Sequence, residues 1–151
     1  MVGLTIAVPA AYPYVMLSAT VAPFVASTLM SGSVMKARKT YNVPYPNLYA
    51  VPGVHEHADN FNRVQRGHQN MFETLASMIA MTLVGGLKFP KAAILLVLAY
   101  CVGNVFYLKG YADTSKDVKM ARYSGPVAAL KPIGILGSFF NCLAACVVMI
   151  R

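Results

Sequence analysis

Long apolar stretches alternate with short polar ones along this chain. Residues 1–35 carry no charged side chain, and the 22 residues from Tyr14 to Met35 are apolar enough to form a helix. At about 1.5 Å per residue that helix crosses about 30 Å of hydrocarbon. A cleaved signal peptide would need a basic start and a shorter apolar core, so the expectation is a retained span, kinked at Pro23. Lys36, Arg38 and Lys39 stop the run. Pro44, Pro46 and Pro52 then mark an extended loop. A second helix is predicted over 61–86, closed by Gly85–Gly86. A third covers 90–111, with Pro90 suited to its first turn. A polar loop follows from Asp113 to Lys119, and a fourth helix is predicted over 122–150. Gly134 and Gly137 there admit a close neighbour.

The predicted fold is an all-α integral membrane protein, a single four-transmembrane-helix domain over 1–151. Composition supports the class. Charged residues make up 12% of the chain, against about 25% in soluble domains, and mean hydropathy is +0.54. That excludes a disordered chain. The net charge of +8 does not indicate nucleic acid, because the basic residues gather where apolar runs end. Loops one and three carry Lys36, Arg38, Lys39, Arg63, Arg66, Lys109, Lys116, Lys119 and Arg122. The opposite side has Lys88, Lys91 and Arg151. The positive-inside rule therefore places the two basic loops in the cytosol and both termini across the membrane. Cys101, Cys142 and Cys146 form no disulfide framework and read as small hydrophobes.

Two polar stripes carry the candidate chemistry. Asn62, Arg66, Asn70 and Glu73 follow helical spacing and share one face of the second helix. Counting back from Leu87 puts the membrane boundary near His68, with Glu73 about 7 Å inside it. A charge at such a position costs on the order of 3 kcal/mol. An Arg66–Glu73 pair is either a structural clamp or a functional site. On the third helix Tyr100, Asn104, Tyr107 and Tyr111 share a face, as an interfacial aromatic belt would; alternatively Asn104, Tyr107 and Tyr111 form the facing wall of a cleft. Such a cleft suits a small anionic, amide-rich ligand beside an apolar one, with Arg122 adding a fixed positive charge. His55-Glu56-His57 and Asp59 match no zinc spacing, and the expectation is a solvated loop and no metal. No nucleophile triad, phosphate-cradling loop or catalytic carboxylate pair is legible.

The stretch Phe61-Asn62-Arg63-Val64-Gln65-Arg66-Gly67-His68-Gln69-Asn70-Met71-Phe72-Glu73 resembles the second-helix signature of the MAPEG family, the membrane-associated proteins in eicosanoid and glutathione metabolism. Asn104-Val105-Phe106-Tyr107-Leu108-Lys109-Gly110-Tyr111 resembles its third-helix signature. Lys36-Ala37-Arg38-Lys39 followed by Val43-Pro44-Tyr45-Pro46 also fits. Thr74 departs from the tyrosine found in the leukotriene C synthases of that family. The resemblance implies four-helix subunits forming a homotrimer in the endoplasmic reticulum, with glutathione as co-substrate at subunit interfaces facing the cytosol. It implies that Arg66, Asn70, Glu73, Tyr107 and Tyr111 bind glutathione from one subunit and Arg38 and His68 from its neighbour. Arg122 matches the arginine that stabilises the glutathione thiolate, with Lys119 as the fallback.

That chemistry has a physical basis. The thiolate is the nucleophile, and a thiol of pKa about 8.5 is only a few per cent ionised at pH 7. Lowering the pKa by about 2 units takes roughly 2.7 kcal/mol, which a guanidinium in a partly dry site supplies. The expected function is a membrane-bound glutathione transferase. It would act on lipophilic electrophiles, on lipid hydroperoxides as a peroxidase, or on both. The alternatives are a non-enzymatic lipid-presenting scaffold, a leukotriene C synthase-like activity, or a small transporter.

Overall fold

A computed structural model describes residues 8–150, so Arg151 of the charge count lies outside the described residues. Among the described residues there are helices and no strands. Helix α1 spans Tyr12–Thr40, α2 Ala58–Gly86 and α3 Pro90–Ala112. A single turn, α4, covers Val118–Ala121. A 3-10 turn at Pro126–Ala129 leads into α5, Leu130–Ile150. Three of these segments are long and apolar enough to cross a membrane: Tyr12–Thr40, Pro90–Ala112 and Pro126–Ile150. The polar front half of α2 keeps it out of that set.

The helix ends follow local chemistry. α1 continues past Met35 because Lys36, Arg38 and Lys39 are good helix formers, and Arg38 and Lys39 fall in the last turn, where cations complement the helix dipole. Pro90 takes the first turn of α3, where its missing N–H loses nothing. The final helical segment is not continuous from 122. Gly125 adopts φ +120°, a conformation side chains other than glycine rarely take, and Pro126 follows it, so the chain turns before α5 begins.

α2 and α3 each pack against α1 and α5 as well as against each other. Met30, Met71, Met78, Val97 and Tyr100 form the central core. A second cluster of Val34, Ala37, Val43, Ala50, Phe61 and Val64 pins the long α1–α2 loop to the basic end. Asn62 clamps that loop by bonding both backbone groups of Ala50, at 2.8 and 2.9 Å.

α3 and α5 approach very closely. A Cβ at Gly103 would lie 2.1 Å from the backbone N of Lys131, and one at Gly134 would lie 2.6 Å from that of Tyr100. Gly134 thus has the role its sequence position suggested. Gly103→Ala is expected to lower stability by about 1–3 kcal/mol, since the backbones must separate. Gly32→Ala is the control: a Cβ there meets nothing within 4 Å, and alanine favours helix. Thermal unfolding in detergent distinguishes them. Equal midpoints for the two variants would refute the close approach.

Candidate functional site

The site begins on α2. Arg66 Nη1 donates to Glu73 Oε1, and Asn70 Nδ2 donates to Glu73 Oε2 at 2.7 Å. The pattern of i+3 and i+4 spacing makes this geometry local to one helix. Arg66 and Glu73 side chains remain 45% and 47% exposed within the subunit, so this face is open to an occupant.

α5 closes the site from the side. Lys131 is 8% exposed. Its Nζ donates to Asn70 Oδ1 and lies 3.7 Å from the centroid of the Tyr107 ring. This ammonium therefore orients the Asn70 amide, and the amide in turn presents its Nδ2 to Glu73. Lys131 is not among the residues that spacing or resemblance singles out. Its one signal was a lone cation inside the apolar segment Leu130–Ile150. Gly103 explains its place, since the tight crossing brings the Lys131 backbone against α3 one turn from Tyr107.

The third wall is aromatic. Tyr107 is buried, tilted against Tyr111 at 5.7 Å and edge-on to Tyr123 at 6.0 Å. Tyr123 is a second residue the sequence analysis missed. The Arg122 guanidinium lies 5.0 Å from the Tyr123 ring, and its Nε is shut off from solvent with no partner among the described residues. Its pKa stays above the ordinary value: desolvation pulls it down, and the facing Tyr107 and Tyr123 hydroxyls outweigh that. Arg122 is thus a permanent cation with an unused donor. Lys119 is exposed, and its backbone N–H bonds the Asp117 side chain.

Arg63 ties the walls together. It donates through Nε to the Tyr111 carbonyl at 2.8 Å and through Nη2 to those of Asp113 and Lys116, capping the end of α3. Asp113 stiffens the same turn. Its carboxyl is held down at about 2 by the Ser115 hydroxyl and by Lys116. Between Arg63, Arg66, Tyr49, Tyr111 and Lys116 lies a cavity of about 830 Å³, within the usual range for small-molecule sites.

The structure brings Arg66, Asn70, Glu73 and Tyr107 together, with Tyr111 and Arg122 reaching the cluster through the aromatic rings. The expected wall residue Asn104, and Tyr100 on the same helix face, are instead interior. Tyr100 donates to the Met71 carbonyl at 2.7 Å and meets Thr74 at 3.0 Å. Asn104 is fully buried and donates to the Tyr100 carbonyl of its own helix, because α5 crosses that part of α3. Arg38 and His68 have other partners within the subunit. Arg38 donates to the Val43 and Asn47 carbonyls and covers the Tyr45 ring. His68 Nε2 bonds Ser31 Oγ at 3.1 Å. His55 Nδ1 accepts the Val51 N–H, and no group of three metal-ligating side chains occurs among the described residues. A family model described as the MAPEG family matches residues 16–150.

Proposed function

The chain belongs to the MAPEG family and is a multi-pass membrane protein, and from that footing we propose that it is a membrane-bound glutathione transferase, similar to microsomal glutathione S-transferase 3. In this reading α2 is the fourth span, and three copies assemble in the endoplasmic reticulum membrane with the site facing the cytosol. Arg66, Asn70, Glu73, Tyr107 and Tyr111 hold glutathione, and Arg38 and His68 reach it from a neighbouring copy.

The observation that carries the reading is the unpartnered Arg122 Nε beside the tyrosine wall of a charged cluster. Glutathione offers two carboxylates, an ammonium, amides and a thiol. Arg66 suits a carboxylate, and Glu73 and Asn70 suit the ammonium and amides. Arg122 is the cation that steadies the sulfur as thiolate. The thiolate attacks an electrophilic carbon dissolved in the bilayer and forms a thioether, either displacing a leaving anion or, at a conjugated carbonyl, leaving an enolate that takes up a proton. With a lipid hydroperoxide the sulfur attacks peroxide oxygen and releases the alcohol. The sulfur of a second glutathione then attacks the sulfenic sulfur, and hydroxide leaves with the thiol proton as water, giving the disulfide.

The test is a titration of glutathione into the purified protein at pH 7, followed in the ultraviolet thiolate band. A band of about three quarters of a thiolate per bound glutathione is expected, for a thiol pKa lowered by about 2 units. Binding with no band would leave glutathione unactivated and favour the lipid-presenting scaffold. No binding by calorimetry would refute both the ligand and the enzyme.

A further inference from the structure

The seam between α1 and α3 holds a second recess, lined by no residue of the Glu73 cluster. The two helices ascend in the same direction. In the apolar depth a furrow of about 500 Å³ opens between them, lined by Leu17, Val21 and Leu29 of α1 and Leu98, Val102 and Val105 of α3. From Tyr14 to Leu29 it runs about 22 Å at 1.5 Å per residue. That exceeds one leaflet's half of a hydrocarbon core about 30 Å thick. Toward the basic end the same helices line a further recess of about 410 Å³, holding Ser33, Lys36, Leu108 and Lys109. Ser33 follows Leu29 by four residues and Leu108 follows Val105 by three, so the recess stacks on the furrow along one face of each helix.

The chemistry changes sharply between the two levels. The furrow is almost wholly apolar, whereas its mouth carries two ammonium groups. Lys109 turns back toward the membrane, its Nζ 4.8 Å from the Phe106 ring centroid; a lysine at this level ordinarily extends toward water. The one acidic side chain at the mouth, Asp113, is already held by Lys116 at 3.0 Å and by the Ser115 hydroxyl at 2.6 Å. Among the described residues neither Lys36 nor Lys109 has an ion-pair partner.

We propose that this seam is a binding site for a glycerophospholipid of net negative headgroup, with an acyl chain in the furrow and the phosphate on Lys36 and Lys109. A second copy of this chain fits less well. In the trimer proposed above, the face that meets a neighbour carries Arg38 and His68, and neither lines this seam.

Native mass spectrometry of the full-length protein, released from nanodiscs with equal phosphatidylglycerol and phosphatidylcholine of the same chains, tests the proposal. Each lysine near an anionic group favours it about five-fold, so phosphatidylglycerol is expected to be retained about ten- to thirty-fold over phosphatidylcholine. The double variant Lys36→Gln/Lys109→Gln is expected to bring that ratio near one and to leave glutathione affinity unchanged. Val102→Trp, which fills the furrow, is expected to remove both lipids. A ratio near one in the unaltered protein, or an unchanged ratio in the double variant, would overturn the proposal. So would efficient disulfide cross-linking of Leu17→Cys between copies, which would assign the furrow to protein.

Discussion

Arg122→Ala is expected to strip most of the thiolate from bound glutathione. If the guanidinium lowers the thiol pKa by about 2 units, from about 8.5 to about 6.5, roughly three quarters of the sulfur is ionised at pH 7. Without it only about 3% is, so the thiolate band falls about 25-fold. Turnover at pH 7 falls less. A thiolate of higher pKa is the better nucleophile, and the slope known for thiol–disulfide exchange returns roughly six- to ten-fold over two units. The pH profile is therefore the sharper readout. Unaltered protein should plateau just above neutrality, and the variant should rise about ten-fold per unit to about pH 8.5. Arg122 itself cannot be the titrating group, since it stays charged throughout. An unchanged profile would remove Arg122 from the mechanism. A profile altered in Lys119→Ala instead would transfer the role to that exposed lysine.

Lys131→Met is expected to weaken glutathione binding by roughly 10- to 100-fold while leaving the protein folded. Hydrogen bonds to charged groups contribute about 1.5–3 kcal/mol, and 1.4 kcal/mol is ten-fold. Lys131 donates to Asn70 Oδ1, which leaves Nδ2 as the group facing Glu73. Without the ammonium the amide is free to turn, and the carboxylate loses a fixed donor. Methionine has a similar reach, and the half-exposed Glu73 carboxylate keeps Arg66 as its partner, so no unpaired buried charge is left behind. Calorimetry and thermal unfolding separate the cases. Loss of affinity at unchanged midpoint is the expected result, and loss of both would make Lys131 structural. The cycle with Asn70→Ala should show coupling, since the two share one network. Additive losses would refute the relay.

The half of the site on α2 was legible in residue spacing. Arg66, Asn70 and Glu73 lie within two turns of one helix, and helical periodicity alone makes them neighbours. Their partners across the bundle were not legible. Lys131 and Tyr123 come from other segments, and the cation inside α5 had no marked face. Tyr100 and Asn104 share the face of Tyr107 by spacing, yet they are interior, because spacing does not say how far along α3 another helix covers that face. Asn62 and Arg63 were equally ambiguous. Both sit on the polar front of α2, and both bond loop backbone.

By itself the sequence determined the all-helical class, three spans of the right length and apolarity, the charge asymmetry of the loops and the α2 cluster. These depend on composition and on contacts between residues a few positions apart, which covalent geometry dictates. Only the tertiary structure decided that Lys131 completes the cluster, that Arg122 holds an unused donor near Tyr107, and that a furrow with a basic mouth runs between α1 and α3. Those depend on the axial shift and rotation of one helix against another. Close packing at Gly103 and Gly134 sets both, and no periodicity within a single helix encodes them.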